Sequence, residues 1–416
     1  MSSSLFVYSY FMSNQERDEK KMIYLDNAAT TPMSDTAKKA LFDAVDKFWG
    51  NPSSLHSNGQ LAAEQLLAAR ERIAARLNAD AREITFTSGG SEADNQALLT
   101  AATLGSKKGK KHIVSTKFEH HAILHALKRL EKQGYEITLV DVNADGLVKP
   151  EDVANAIRED TALVTVMFAN NEVGTIQPIA EIGKICREKG VIFHTDAVQA
   201  AGHLPIDVKA MNIDMLSLSA HKFHGPKGVG ALYARRGVFL TSLIEGGAQE
   251  RGKRAGTENL PGIISMAAAL DEACESMEKD SEYCSALRDR LIAGLSRIPH
   301  SKLNGDAVKR LPGNVNFCFE GIEGESLLLL LDDRGIAASS GSACTSGSLD
   351  PSHVLLAMGI PHEVAHGSLR LTLSTDTTQA DVDKTINDVT EVVDYLRNMS
   401  PVWEELQKGE KQYVIQ

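Results

Sequence analysis

The stretch EITFTSGGSEADN (residues 83–95) decides the fold, because it combines a strand, a glycine turn and the start of a helix. β-Branched and aromatic side chains dominate Glu83–Thr87, which predicts a strand, and a helical pattern begins at about Ser91. The same alternation of strand and helix continues to about residue 235. It predicts an α/β fold in which helices cover both faces of a mostly parallel sheet.

The individual elements follow from the same patterns. The other predicted strands are His112–Ser115, Glu136–Val140, Leu163–Phe168, Val191–His194 and Met215–Ser219, the last of which closes the series. The predicted helices cover Glu119–Gln133, begin at Pro150, and cover Ile179–Lys189 before Gly190. Ligands of such sheets bind outside the carboxyl ends of the strands, so the residues that follow each strand are the first to examine.

A different pattern after about residue 280 predicts a second, smaller α+β domain. Its predicted elements are a helix at Leu287–Leu295, a strand at Asn314–Phe319, a helix at Glu325–Asp332, a strand at Leu369–Leu373 and a last helix with the capping box Thr378/Asp381. We expect residues 34–276 to form the large domain and residues 22–33 with 277–416 the small one. Residues 1–21 are predicted to be a disordered extension. They contain the apolar run Leu5–Met12, which is a poor signal peptide because it is short and no Lys or Arg precedes it.

Composition excludes several classes of protein. The chain has 416 residues, of which 43% are hydrophobic and 24% charged, which is enough apolar side chain to bury a core. The formal net charge of -11 disfavours binding to nucleic acid, and no apolar run has the roughly 18 residues of a membrane span. Five cysteines without a C-x-x-C pair argue against a disulfide framework or a structural zinc site, and favour the reducing cytoplasm.

Residues that could bind a ligand or take part in catalysis follow three of the predicted strands. Gly89-Gly90 precede a helix N-terminus that suits a phosphate, although an ordinary glycine turn is as good an explanation. Asp196 follows the fifth strand, where it is either a crevice carboxylate or a helix cap. Lys222 follows the sixth strand, where a single lysine is more often a solvated charge. Together the three form the minimum set that holds the phosphate, ring nitrogen and aldehyde carbon of pyridoxal phosphate.

With these residues in place, the sequence resembles the cysteine desulfurases of the iron–sulfur-cluster and nitrogen-fixation class, which are pyridoxal-phosphate enzymes of fold type I. The matching segments are YLDNAATTP (24–32), GNPSSLH (50–56), FTSGGSEADN (86–95), EHHAIL (119–124), NNEVGTIQP (170–178), HTDAVQAAG (194–202), SAHKFHGPKGVGALY (219–233), RAGTEN (254–259), SSGSACTSGS (339–348) and SLRLTLS (368–374). The resemblance implies a large cofactor domain with a seven-stranded type of sheet, and a small domain that carries the cysteine loop.

The resemblance also implies a role for each matching residue. Lys222 would bond covalently to the cofactor, Asp196 would pair with its ring nitrogen, and His120 would stack on the ring and move protons. Near the phenolic oxygen would lie Asn171 and Gln199, and the phosphate would be held by Gly90, Ser91, Ser219, His221 and Thr257 of the partner subunit of a homodimer. Arg370 would bind the substrate carboxylate together with Asn171, and Cys344 would be the nucleophile that takes sulfur from L-cysteine.

Cys344 is also singled out by the residues around it. Free cysteines are usually buried, but this one lies in a ten-residue Ser/Gly stretch that cannot pack a core. Such a thiol is better explained as a carried nucleophile than as part of the structure. No resident metal is predicted, and Cys344 is at most a transient ligand of an iron–sulfur cluster. For His120 the residues alone leave the neighbouring His121 open as a competing candidate.

The predicted activity is conversion of L-cysteine to L-alanine, with transfer of the sulfur as a persulfide on Cys344 to an iron–sulfur scaffold protein or another acceptor. A selenocysteine lyase, or an aminotransferase of the same fold, is the first alternative, and the cysteine loop argues against the aminotransferase. A non-catalytic relay protein is the second, and Lys222, Asp196 and His120 argue against it. The segment MSPVWEELQKG (399–409) resembles the scaffold-docking tail of the class, although it also fits a frayed amphipathic helix end.

Overall fold

The computed structural model describes residues 22–340 and 351–415. Its strands are β1 (Ile23–Tyr24), β2 (Ile84–Thr87), β3 (His112–Thr116), β4 (Glu136–Val140), β5 (Thr161–Thr165), β6 (Ile192–Asp196), β7 (Met215–Ser219), β8 (Gly230–Ala234), β9 (Ser301–Leu303), β10 (Asn314–Phe319), β11 (Ile336–Ala337) and β12 (Ser368–Thr372). Its α-helices are α1 (Asp35–Lys47), α2 (Ser57–Arg76), α3 (Gly90–Ser106), α4 (His121–Lys132), α5 (Pro150–Ala156), α6 (Ile179–Lys189), α7 (Leu260–Leu295), α8 (Gly324–Asp333), α9 (His353–Ala357), α10 (His362–Ala365), α11 (Gln379–Asn398) and α12 (Pro401–Gln407).

A seven-stranded sheet in the order β2-β8-β7-β6-β5-β3-β4 forms the centre of the larger part. Five of its strands, β3 to β7, run parallel to one another, while β8 is antiparallel to both of its neighbours. The α/β fold class with a mostly parallel sheet is therefore confirmed. Strands β3, β5 and β7 have no exposed residue, because helices cover both faces of the sheet.

Two predictions about this sheet are wrong in detail. Met215–Ser219 does not close the series, since the buried run Gly230–Ala234 returns beside it as β8 and separates it from β2. The predicted strand Leu163–Phe168 lies instead at Thr161–Thr165. The apolar run extends past the strand because Val166 to Phe168 stay buried in the connection that follows, where their backbone still bonds to β6.

The smaller sheet has the antiparallel order β12-β10-β9 and packs against α7, α8 and α11. Helix α11 begins with the predicted capping box of Thr378 and Asp381. Helix α7 is 36 residues long: Ile263 and Met266 near its start join the core of the larger part, while Leu291 near its end joins the core of the smaller. The predicted division at residues 276 and 277 falls within this helix and stays a prediction.

A buried ion pair ties α2 to the edge of the central sheet. The Arg70 guanidinium donates two hydrogen bonds, of 2.7 and 2.5 Å, to the Glu250 carboxylate, and a third to the Ile84 carbonyl. The same carboxylate accepts a bond from the Phe86 amide, and both charged side chains are at most 6% exposed. Each buried charge is thus fully partnered, so removing either one leaves the other uncompensated.

We predict that Glu250→Gln lowers the free energy of unfolding by about 3–5 kcal/mol, because it leaves the Arg70 charge buried without its counterion. The matched control is Asp383→Asn, which removes the acid of the exposed pair with Arg290 and should cost at most about 1 kcal/mol. Urea unfolding followed by circular dichroism measures both. Equal losses in the two variants would contradict the role of this pair.

Candidate active site

The carboxyl ends of β6 and β7 bring the predicted residues together. Asp196 is the last residue of β6 and pairs in register with Ser217 of β7. Two residues later β7 ends at Ser219, and a single 3₁₀ turn, Ala220–Lys222, carries the lysine over the edge of the sheet. The two strand-end residues therefore share one crevice, as the sequence predicts.

Asp196, Asp94 and His120 form a tight cluster in this crevice. One side-chain oxygen or nitrogen of each lies within 4.8 Å of the other two. Burial raises the pKa of Asp196 to about 6, and it raises the pKa of Asp94 well above its usual value, with the Asp196 charge adding to the effect. Burial, helped by the Lys222 charge, lowers the pKa of His120 to about 4. The site thus holds a neutral imidazole beside a buried acidic pair.

His120 rather than His121 faces the cluster. Its Nδ1 accepts a bond from the Ala122 amide, which caps α4 and fixes the ring at the start of that helix. The ring of His121 instead lies beside His125 and His353. Of the two histidines that the residues alone leave open, His120 is thus the one that the fold brings to Asp94 and Asp196.

Glycines make room for a ligand at the end of β2. Gly89 has φ +156°, a conformation that favours glycine, and it leads into the first turn of α3 at Gly90 and Ser91. A Cβ atom on Gly90 would lie 2.6 Å from Cγ2 of Val198 and 3.6 Å from Cβ of Ser219. The backbone amides of the helix start are thus open to an anion beside the Ser219 side chain.

The N-terminal segment supplies acceptors for two of the predicted residues. Lys222 Nζ donates to the carbonyls of Ala28 and Ala29 at 2.6 and 2.8 Å, and Gln199 Nε2 donates to the Ala28 carbonyl at 2.9 Å. His221 Nδ1 lies 3.1 Å from the Thr30 hydroxyl. Residues 28–30, which belong to the segment predicted for the small domain, therefore close one side of the crevice.

Arg370 lies on β12, at the junction of the two parts. Its Nη2 donates to Asp26 at 2.7 Å and its Nη1 to the backbone carbonyl of Asn171 at 3.1 Å. The guanidinium is 3% exposed, and its Nε has no acceptor among the described residues. A buried donor without a partner is costly, so this edge of the guanidinium is suited to the carboxylate of a ligand.

This donor set fits pyridoxal phosphate. Gly90, Ser91 and Ser219 offer an anion cradle, and the buried Asp196 carboxylate suits a cationic ring nitrogen. Lys222 is placed within the same crevice, close enough for its charge to act on both Asp196 and His120. The crevice therefore offers a helix N-terminus to a phosphate, a carboxylate to a cationic ring nitrogen and an amine to a carbonyl carbon.

Thr257 is a predicted residue that lies apart from the described crevice. Thr257 is exposed, as a residue offered to a second chain would be. Cys344 lies outside the described residues. Sequence reasoning missed Asp94 and Asp26, although both stand in quoted motifs; Asp94 is four residues after Gly90, which places it on the same face of α3.

Comparison with known proteins agrees with this geometry. Residues 23–385 match the family model of class-V aminotransferases. A Clostridium botulinum protein named cysteine desulfurase IscS is 53% identical over 395 residues, which cover 94% of this chain and 99% of the relative. A Methanosarcina thermophila protein of the same name is 53% identical over 384 residues, covering 92% and 95%. A solved structure titled NifS-like protein superimposes with a TM-score of 0.85 at 37% identity, covering 90% of this chain and all of that one.

The chain belongs to the cysteine desulfurases of the class-V aminotransferase family. The predicted family, enzyme class and dependence on pyridoxal phosphate are thereby confirmed. The roles of individual residues of this cysteine desulfurase rest on the geometry above and stay predictions.

We predict that Gly90→Ala weakens cofactor binding and lowers the free energy of unfolding by about 1–3 kcal/mol, because the added methyl overlaps Val198 at 2.6 Å. The double variant Gly90→Ala/Val198→Ala should recover much of both losses, since it removes the overlapping methyl groups. Cofactor titration and thermal unfolding measure the effects, with Val198→Ala alone as control. If the double variant recovered neither cofactor affinity nor stability, the contact between residue 90 and Val198 would not be the cause of the two losses.

Proposed function

We propose that the chain converts L-cysteine to L-alanine and holds the released sulfur as a persulfide on Cys344, for transfer to an acceptor in iron–sulfur cluster assembly. The observation that carries the proposal is how the segment around Cys344 is anchored. On its N-terminal side, Ser339 forms two backbone hydrogen bonds with Arg370. On its C-terminal side, Ser352 donates to the buried Glu172 carboxyl, next to Asn171. Both anchors lie beside the proposed substrate-carboxylate site.

The reach of the segment agrees with this role. Cys344 is four residues from Ser340, so an extended chain carries it up to about 14 Å from that anchor. Ser340 itself accepts a hydrogen bond from Ser368 on the Arg370 strand. The proposed nucleophile is therefore joined to the described chain close to the strand that carries Arg370.

The other four cysteines are poor nucleophiles by comparison. Cys186, Cys284 and Cys318 are buried and Cys274 is half-buried. Burial raises the pKa of Cys186 to about 12, raises that of both Cys284 and Cys318 to about 11, and also raises that of Cys274. The reactive thiolate is therefore disfavoured at every described cysteine, which leaves Cys344.

Pyridoxal phosphate, when bound, supplies an electron sink that makes the substrate α-proton removable. Lys222 is the residue placed to take that proton, and Arg370 orients the substrate through its carboxylate. The neutral His120 imidazole can accept and return a proton on the cluster side. Asp196 would supply a counter-charge to the ring nitrogen, and Gln199 and Asn171 would lie near the phenolic oxygen. The phosphate would be held by Gly90, Ser91, Ser219, His221 and Thr257 of the partner subunit.

The sulfur step balances without an external oxidant or reductant. The Cys344 thiolate attacks the substrate sulfur, an S–S bond forms and the substrate C–S bond breaks. The carbon that loses sulfur takes a proton and becomes the methyl group of alanine. One cysteine and one thiol therefore give one alanine and one persulfide, and the acceptor later removes the outer sulfur.

We expect the wild-type enzyme to form alanine from L-cysteine over many turnovers with a thiol reductant, while Cys344→Ala forms at least about a hundredfold less, because the sulfur has no acceptor. Cys274→Ala, which removes a half-buried thiol on α7, is the matched control and should keep full activity. Mass spectrometry should detect one added sulfur on the wild type and on Cys274→Ala, but none on Cys344→Ala. Equal alanine formation by Cys344→Ala would contradict the persulfide and point to a lyase, which selenocysteine as substrate would then test.

The chain is also proposed to be a homodimer, because it exposes a large apolar stripe. Phe42, Val45 and Trp49 lie at helical spacing on and just beyond α1, and Phe42 and Trp49 are 70% and 72% exposed. Leu55, in the loop before α2, is a further exposed apolar side chain. Contiguous apolar surface of this kind marks an interface, and an exposed Thr257 is consistent with a phosphate ligand that acts in the other protomer.

Light scattering after size exclusion should give twice the chain mass for the wild type. Trp49→Glu, which places a charge in the stripe, should shift the protein towards monomer and weaken cofactor retention. Val308→Glu, at an exposed valine in the loop between β9 and β10, should change neither. A dimer unaffected by Trp49→Glu would place the interface elsewhere.

The acceptor is proposed to dock at the C-terminal helix α12. Its Trp403 packs under Arg397, whose Cζ lies 4.0 Å from the ring, and Leu406 is buried, so the helix is held against the chain rather than frayed. Met399 and Val402 remain exposed and offer an apolar face to a scaffold protein.

The cytoplasm is the proposed compartment, since all four described cysteines are free thiols. None of the described helices combines the length and hydropathy needed to cross a lipid bilayer.

A further inference from the structure

Two buried carboxyls lie side by side in the crevice. Asp94 on α3 and Asp196 at the end of β6 are 1% and 5% exposed. One oxygen of each lies within 4.8 Å of the other and of a His120 ring nitrogen. Two negative charges at this spacing in a buried site repel each other strongly, so one of the two carboxyls keeps a proton. The contacts of the pair decide which one.

Asp196 has the partners of a charged carboxylate. Its Oδ1 accepts a hydrogen bond of 2.9 Å from the Val198 amide. Burial raises the pKa of Asp196 to about 6, but this hydrogen bond and the Lys222 charge both oppose the rise. Asp94 instead faces the His194 ring, whose Nε2 lies 3.8 Å from Asp94 Oδ1, and this oxygen has no hydrogen-bond partner among the described residues. Because a buried oxygen without a partner costs more free energy when charged than when neutral, the proton of the pair belongs on Asp94.

The other titratable groups around Asp94 supply no compensating charge. Burial lowers the pKa of His194 to about 3 and raises the pKa of Glu119, in the turn before α4, to about 8, and His120 is neutral as described above. Helix α4 packs on α3 through apolar side chains, and strands β2, β5 and β7, which also pack on α3, contain no titratable residue. Tyr233 of β8 packs in the core on the opposite face of the sheet. At neutral pH Asp94 is therefore surrounded by neutral groups and the Asp196 charge.

A chain of buried hydrogen bonds holds Asp94 in place. The Ser217 hydroxyl of β7 bonds to the Asp94 carboxyl and lies 3.0 Å from His194 Nε2. His194 Nδ1 lies in turn 2.9 Å from the Thr165 hydroxyl of β5. Ser217, His194 and Thr165 are all fully buried. A protonated carboxyl can still accept the Ser217 bond through its carbonyl oxygen, and so can an asparagine amide, whereas alanine cannot.

We propose that Asp94 is a positioning residue that holds a proton beside Asp196, so that the pair presents a single negative charge to the ring nitrogen of the cofactor. This inference deepens the proposed function and rests on its placement of that nitrogen at Asp196. A neutral Asp94 leaves Asp196 as the one counter-charge of the cationic nitrogen. An ionised Asp94 would add a second buried charge that the single positive charge of the nitrogen does not balance.

Equilibrium dialysis of the loaded enzyme against graded concentrations of pyridoxal phosphate tests the roles of the two carboxyls. Asp94→Asn keeps the bond from Ser217 and resembles a protonated carboxyl, so its cofactor Kd should stay within about threefold of the wild type. Asp196→Asn removes the charge at the ring nitrogen and should raise the Kd at least about tenfold. Asp94→Ala should raise the Kd more than Asp94→Asn does, because it loses the bond from Ser217.

Two outcomes of this measurement separate the two proposals. Equal rises of the Kd in Asp94→Asn and Asp196→Asn would overturn the inference, because both carboxyls would then carry charge. An unchanged Kd in Asp196→Asn would instead overturn the placement of the ring nitrogen, which belongs to the proposed function.

The pH dependence of thermal unfolding of the loaded enzyme gives a readout that does not depend on activity. Burial raises the pKa of Asp94 well above its ordinary value of 3.8, so the residue takes up a proton on folding, and this costs the wild type more stability as the pH rises above that value. Asp94→Asn has no proton to take up. It should therefore raise the midpoint of unfolding by several degrees at pH 7 and by much less at pH 4.

Glu250→Gln is the matched control, because it also replaces a buried acid with its amide. Its carboxylate is paired with Arg70, so this variant should lower the midpoint at pH 7 rather than raise it. A midpoint of Asp94→Asn at or below that of the wild type at pH 7, or a gain that does not grow between pH 4 and pH 7, would overturn the inference.

Discussion

The parallel pairing of β6 with β7 is the constraint on which the rest of the site depends. Because Asp196 stands opposite Ser217, the acid and Lys222 leave the sheet side by side. The glycine turn after β2 reaches the same edge through β8, which lies between β2 and β7. A cofactor that needs a phosphate cradle, a counterion and an amine can therefore be held by backbone geometry that the core itself enforces.

Burial gives this geometry its chemical character. The Asp94 and Asp196 carboxyls are both buried, which raises the pKa of each, and the Asp196 charge raises the pKa of Asp94 further. A cationic ring nitrogen beside Asp196 would relieve that cost. The same burial keeps His120 neutral and disfavours the thiolate at the four described cysteines. Burial thus both prepares the cofactor site and disfavours thiolate chemistry at the four described cysteines.

The sequence predicts the fold well, and it predicts that Asp196 and Lys222 share one crevice, because both depend on local signals at strand ends. Helix α6, strand β7 and the capping box of α11 follow from apolar periodicity and capping chemistry alone. The antiparallel β8 is missed, because its place between two distant strands is a property of the whole sheet. Asp94 is missed because its importance comes from Asp196, about a hundred residues away in the chain.

The central claim is that Lys222, at the end of β7, is the residue that binds the cofactor. Reduction of the cofactor-loaded enzyme with borohydride, followed by digestion and mass spectrometry, tests it directly. The account predicts a pyridoxyl group on the peptide that contains Lys222 and on no other. A pyridoxyl group on Lys227 or Lys253, with Lys222 unmodified, would contradict it.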